Sequence, residues 1–245
     1  MNAAQDPRFR LSKSKIAAFE HCPKRLWLQI HHRDAARFDE GTLQRFAFGH
    51  AVGEKARVVA GSGILVEAEP NIQAALDHTA QLIAAGPTQR IFEATFQHQD
   101  VLIRGDILEP DGTGGWRAIE VKASSRVSCY HLADLSTQVW VMRNAGVSIS
   151  SAVIRHLSRP PQWWRPDVNA VKFSDDDVSK AIERFIQQRP AIAAAAGAAI
   201  RGPEPVRPIG MHCYKPFACE FRGHCAMAAA PGPIDDRRIP AATNK

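Results

Sequence analysis

Apolar positions along the chain change period several times, and each change marks an element. Between Leu11 and Ala85 they follow a helical spacing, broken by residues suited to helix ends. Ser12 or Ser14 is placed to cap a helix running through His21, and Pro23 suits the first turn of a second helix through about His31. A third helix is predicted over Thr42 to Ala60 and a fourth over Asn71 to Ala85, closed by Gly86-Pro87. Alternation of period two, rich in β-branched and aromatic residues, then predicts strands at Arg90 to Gln97, Val101 to Glu109 and Trp116 to Ala123. A helix near His131 to Arg143, a strand near Ser148 to His156 and a helix from Asp175 to about Gln188 follow. Helices, strands, helix, strand, helix is the order of an α/β protein with helices on its sheet.

The hairpin between the second and third strands is where this pattern meets chemistry. A five-residue turn from Asp111 to Gly115, centred on Thr113, sets Asp106 opposite Glu120. Directly opposed residues have Cβ atoms roughly 5 Å apart. Two carboxylates that close repel unless a cation lies between them. Glu120 and Lys122 project from one face of the strand, Ile119 and Val121 from the other. Two acids and an amine thus converge, as a hydrolytic metal site requires: the acids hold a hard divalent ion, and Lys122 orients a water or stabilises charge on phosphate oxygens. An exposed Asp/Glu/Lys network is the alternative reading of the same residues. Glu93 on the preceding strand is either a further acid near the site or a solvent-facing residue.

Charge and cysteine usage narrow the setting. The formal net charge is +6, and residues 1 to 57 carry eleven Lys/Arg against six Asp/Glu. Lys13, Lys15, Lys24, Arg25, Arg33 and Arg37 lie on or beside the first helices, as either a solvated basic face or a grip on a phosphate backbone. Five cysteines and the polar start MNAAQDPRFR argue against an exported disulfide framework and predict a cytoplasmic protein. The run from Pro190 to Ile200 is too short to cross a bilayer, so no membrane is expected. Cys22 stands near one end, and Cys213, Cys219 and Cys225 stand near the other, with five residues between neighbours in the trio. Metal or cluster ligation explains them better than disulfides do. The spacing is wider than the tight loops of structural zinc, although zinc stays open. Cys129 falls outside the pattern and reads as a small buried or partly buried residue.

The motifs CPKRLW, GHAVGE, GDIL and EVKAS and the three-cysteine tail, in that order from Leu11 to Ala226, resemble the PD-(D/E)xK nuclease superfamily. Specifically, they resemble its RecB-like branch with an iron–sulfur cluster, which includes CRISPR-adaptation exonucleases and AddB-type nuclease subunits. The resemblance implies a restriction-endonuclease-like fold: a central mixed sheet flanked by helices, with a helical N-terminal section and an Fe–S clasp. It implies a single nuclease domain over residues 1–226, with N-terminal helices at 11–60, a core at 90–190, a cluster-binding segment at 205–226 and a flexible tail at 227–245. By the same resemblance, Mg²⁺ or Mn²⁺ is held by His50, Asp106, Glu120 and the Val121 carbonyl, and Lys122 serves catalysis. Cys22, Cys213, Cys219 and Cys225 ligate a [4Fe–4S] cluster.

A Gln-x-x-x-Tyr element that handles substrate in the family is met only by Gln138, because Met142 stands where the tyrosine belongs. Lys24 and Arg25 complete the expected substrate-binding set. The implied activity is hydrolysis of DNA, on single strands or from ends, with a helicase or a repair or defence protein as partner for unwinding. Two readings compete with it: a non-catalytic nucleic-acid-binding module that retains the fold, and a zinc-stapled structural subunit.

Overall fold

The structure is a computed structural model that describes residues 10–161 and 167–229. Its centre is a seven-stranded mixed sheet in which β2 (Gly63–Leu65), β3 (Arg90–His98), β4 (Val101–Pro110), β5 (Trp116–Lys122), β6 (Ile149–Leu157) and β7 (Phe173–Asp177) lie in chain order. The antiparallel β3–β4–β5 meander is flanked by parallel pairs, β2 on β3 and β6 on β5, and β7 closes the far edge antiparallel to β6. A two-residue strand, β1 (Leu11–Ser12), pairs in parallel with Val101 and Leu102 at the start of β4.

Helices cover both faces. On one side α5 (Cys129–Asn144) contributes Leu135, Val139, Trp140 and Met142 to the main core. Leu108, Ala118 and Ile154 of the sheet meet them there, with Ile16 of α1 (Lys13–His21) and Ile200 of α7 (Arg189–Arg201). On the other side Phe48 and Val52 of α3 (Glu40–Ala60) pack with Leu157 and Val121, beside a cluster of Phe92, Ile107, Ile119 and Val153. α4 (Ile72–Ala84) lies on β3, where the Thr79 hydroxyl accepts the Thr95 N–H at 2.9 Å.

Side-chain caps set the helix starts. Ser12 accepts from the Lys15 N–H, Asp39 from Thr42 and Asn71 from Ala74, each satisfying an orphan donor of a first turn. α2 (Pro23–His31) begins on Pro23, whose missing N–H costs nothing there.

One expectation is corrected. Asp175 does not open a helix; it lies in β7, opposite Arg155, which donates to both its carboxylate oxygens at 2.8 and 2.7 Å. α6 (Ser179–Ile186) starts four residues later, and the Asp177 carboxylate accepts the Ser179 N–H at its entry. The run of aspartates is therefore a cross-strand ion pair followed by a helix entry. Residues 227–229, at the start of the expected tail, belong to α8 (Arg222–Ala229). The remainder of the expected tail, from residue 230, lies outside the described residues. The Pro190 to Ile200 run forms most of α7, and no described helix is long and apolar enough to cross a membrane.

Candidate active site

The β4–β5 ladder pairs Ile107 with Ile119, Leu108 with Ala118, Glu109 with Arg117 and Pro110 with Trp116, the register set by a turn centred on Thr113. Asp111 holds that turn, its carboxylate accepting the Thr113 and Gly115 N–H groups. One step beyond the last pair, the backbone ladder gives way to a side chain. The Val121 N–H donates to Asp106 Oδ2 at 2.7 Å, so the carboxylate substitutes for a strand carbonyl and is fixed in place. At the other end of β4 the neighbour is β1, so α1 starts beside the gap between β4 and β5.

Side-chain alternation also breaks here. Ile91 and Ala94 should face opposite sides of β3, yet both enter the main core, because Glu93 between them has φ +57°. Gly105, the partner of Ala94, crosses with it: a Cβ there would stand 2.6 Å from Met142 Cε of α5. The irregularity falls on Glu93 and Asp106. Both line one cleft of about 350 Å³ under α3, with Lys13, Gly49, His50, Gly53, Glu54, Arg57, Ile107, Glu120 and Val121. A positive φ at a non-glycine residue costs roughly 1–3 kcal/mol and concentrates at functional sites. Arg57 and Arg104, each 3.6 Å from a Glu93 carboxylate oxygen, hold that residue.

Glu120 is 2% exposed and heavily constrained. Its Oε1 accepts from Lys13 Nζ at 2.6 Å and lies 2.8 Å from Lys122 Nζ, while Oε2 accepts from Gln138 Nε2 of α5 at 2.6 Å. Lys122 in turn donates to Asp134 Oδ2 at 2.6 Å. Burial opposes ionisation of Glu120, but the two ammonium groups outweigh it and hold the carboxyl well below its usual range. Asp106 behaves oppositely: burial and then the Glu120 charge raise it to about 7, against the pull of Lys13, the Val121 N–H and Lys122. Two adjacent acids whose affinities for a proton are driven apart mark a site poised for cation or proton chemistry. Burial alone would lower both lysines, but Glu120 with Asp134 raises Lys122, and Glu120 with Asp106 raises Lys13.

The cleft thus gathers Asp106, Glu120, Val121 and His50, with Lys122 and Gln138 bonded to Glu120 from the α5 side. Among the described residues no three His, Cys, Asp or Glu side chains already meet as a ligand set. Two members of the site lay outside the expected set. Lys13 was legible only as one of several N-terminal basic residues, and Asp134 carries no signal of its own in the sequence beyond its place four residues before Gln138.

Lys24 and Arg25 are placed elsewhere. Lys24 pairs with Glu204 at 2.6 Å, and Arg25 Nε donates to both oxygens of Glu220, at 3.1 and 2.9 Å. Gln29 donates to the same Glu220 at 2.8 Å, so these residues join the N-terminal helices to the C-terminal segment, and their charge is compensated within the protein. Trp27 Nε1 donates to the Gly202 carbonyl at 3.0 Å along the same seam. No disulfide joins any of the five cysteines; Cys22 and Cys213 are buried there, and Cys129 is exposed rather than buried as expected. Cys225 lies within electrostatic reach of both, Cys219 within reach of Cys213, and the Cys213 Sγ is 3.4 Å from His212 Nε2. Burial pushes the Cys219 thiol up to about 11 and raises Cys225 as well.

No family model matches the chain, and no curated protein does. Among solved structures, one described as "Crystal structure of SSO0001" is 10% identical, covering 80% of this chain and 87% of its own, with a TM-score of 0.36.

Proposed function

We propose that this chain is a RecB-like, divalent-metal-dependent nuclease that hydrolyses phosphodiester bonds in DNA, exonucleolytically on single strands or ends. The observation that carries the reading is the meeting of Asp106 and Glu120 where the β4–β5 ladder stops, in a cleft that also holds His50 and Lys13. Two hard carboxylates with an imidazole beside them suit Mg²⁺ or Mn²⁺. Burial, and then the adjacent Glu120 charge, raise Asp106 to about 7, and a cation between the two carboxylates would relieve their repulsion, so the donor set fits such an ion. Asp106, Glu120, His50 and the Val121 carbonyl would hold the ion, which would supply a water of lowered pKa and neutralise charge on phosphate oxygens.

The chain's own groups provide the positioning. The Val121 N–H orients Asp106, and Gln138 and Lys122 lock the Glu120 rotamer. Because these partners sit on strand and helix backbones that are themselves packed, little reorganisation is needed when a phosphate arrives. At the N- and C-terminal seam, Cys22, Cys213, Cys219 and Cys225 are proposed to hold a [4Fe–4S] cluster. Cys22 and Cys213 are buried at this seam, Cys225 lies within electrostatic reach of both and Cys219 within reach of Cys213, so the four thiols gather as cluster or zinc ligation would require.

The test is cleavage of end-labelled single- and double-stranded DNA by anaerobically purified protein with Mg²⁺ or Mn²⁺. Asp106→Asn and Glu120→Gln are expected to slow cleavage at least about a hundredfold. Parent-like cleavage by both variants, with contaminating nuclease excluded, refutes the assignment. The engagement of Glu120 by two lysines favours one second reading, a binding module that retains the fold without turnover. DNA binding by a parent protein that cleaves under neither ion would establish it.

A further inference from the structure

The helix above the cleft carries two different faces. Phe48, Val52 and Ala56 of α3 are buried, while Gly49, His50, Gly53, Glu54 and Arg57 line the cleft. Phe46 stands four residues before His50, seven before Gly53 and eleven before Arg57, spacings that return to one side of a helix. Leu43, three before Phe46 and seven before His50, continues the same side. The cleft face therefore runs on, past its acids, into apolar side chains. Phe46 is 51% exposed and Leu43 52%, and the Phe38 ring, 43% exposed, meets Phe46 in a T-shaped contact with centroids 5.6 Å apart. Gly49 and Gly53 lie inside the helix, where glycine is disfavoured relative to alanine, yet a Cβ at either would meet nothing within 4 Å. No packing among the described residues requires them, and they leave an open groove along the helix backbone that leads from the cleft to Phe46.

We infer that Phe46, supported by Phe38, is a stacking platform for an unpaired base of a nucleic-acid strand whose backbone enters the cleft along Gly49 and Gly53. The inference rests on the nuclease reading of that cleft and adds a contact that distinguishes a single strand from a duplex, whose bases are already stacked on one another. Among the described residues no Phe, Tyr or Trp lines the cleft itself. A nucleotide whose phosphate lies over Asp106 and Glu120 thus finds no flat apolar surface for its base there. Phe46 offers one a single turn from His50, about 6 Å along the helix axis. Every base has a π-face, so the contact grips a strand without reading its sequence. A second copy of this chain is the other occupant such a patch could take. Three side chains fall far short of the roughly 20–30 residues a side that a stable protein interface uses, whereas they match the footprint of one or two bases.

The test asks whether the contact is to a base. Binding of fluorescein-labelled single-stranded DNA, and of an all-abasic strand of the same length, is measured by anisotropy with EDTA present to prevent cleavage. The proteins compared are the parent, Phe46→Ala, Phe46→Leu and Phe46→Trp. Phe46→Ala is expected to bind the normal strand about tenfold more weakly, within the worth of one base–aromatic stack, and the abasic strand as the parent does. Phe46→Trp should keep parent-like affinity and Phe46→Leu should lose most of it, because stacking needs a ring rather than any apolar surface. The log–log salt slope should stay the same in every variant, since no phosphate contact is removed. Parent-like binding of the normal strand by Phe46→Ala or Phe46→Leu, a loss shared equally by the abasic strand, or a parent that binds neither strand overturns the inference. So does a parent dimer in sedimentation velocity that Phe46→Ala dissociates, which would make the patch an interface between copies. Failure of the nuclease reading shows separately, as a parent that binds the normal strand but cleaves it under neither Mg²⁺ nor Mn²⁺, and leaves the stacking comparison decisive for Phe46. Parent-like cooperative unfolding of each variant excludes loss of fold as the cause.

Discussion

His131 gives the protein a pH dependence that can be isolated by one substitution. Its ring is 2% exposed in the first turn of α5, and Nδ1 accepts the Ser128 N–H at 3.3 Å, which requires that nitrogen to be unprotonated. Burial first, and then the Lys122 charge, lower its pKa from 6.5 to about 4. A folded-state value below the unfolded one means that the unfolded chain binds the proton more readily. The stabilisation is complete above about pH 6.5 and is lost as pH falls toward 4. Integrated between pH 8 and pH 5, that shift amounts to about 2 kcal/mol, or roughly 4–8 °C in Tm for a chain of this size.

Asp106 acts in the opposite sense over the same window. With its folded value raised to about 7, it binds a proton more tightly in the folded state, and its contribution grows as pH falls from 7 toward 3.8. The parent's own pH profile therefore mixes the two. The informative quantity is the difference between parent and His131→Gln, whose amide oxygen is able to accept the same N–H without titrating. Urea unfolding at a series of pH values is expected to show the parent losing about 2 kcal/mol relative to His131→Gln between pH 8 and pH 5. A parallel pair of profiles refutes the assigned protonation state of His131.

Other outcomes follow from single contacts. Arg189, 1% exposed, donates to both oxygens of Glu20 at 2.8 and 2.7 Å, so Glu20→Ala strands a buried guanidinium and should cost about 3 kcal/mol in urea unfolding. The Glu20→Leu/Arg189→Met double variant is expected to recover part of that loss, and strict additivity of the two changes would refute direct coupling. Glu220→Ala removes the shared acceptor of Arg25 and Gln29 and should destabilise the protein by about 2–3 kcal/mol, with proteolysis expected first at the C-terminal segment. Anaerobically purified protein should contain about four irons and four sulfides per chain. Cys22→Ala should lose them and the exposed Cys129→Ala keep them; stoichiometric zinc without sulfide overturns the cluster assignment.

The sequence by itself determined most of the local structure, because the forces that decide it act over a few residues. Ser12, Pro23 and Asn71 mark helix starts through their own side chains, and the turn held by Asp111 sets the hairpin register, with Ile107 opposite Ile119. The order of elements pointed to an α/β protein with helices on its sheet, and the family resemblance to a mixed sheet flanked by helices. Tertiary structure decided the rest, since those contacts join residues that no local pattern links. Lys13 reaches Glu120 across 107 positions because β1 pairs with β4, and Lys24 and Arg25 meet Glu204 and Glu220 rather than open solvent. Asp175 belongs to a strand because Arg155 stands opposite it, overriding a helical reading. The break of alternation at Glu93 turns two acids into one cleft, and its cause is long-range. A backbone held at positive φ needs the packed neighbours of the folded protein to keep it there.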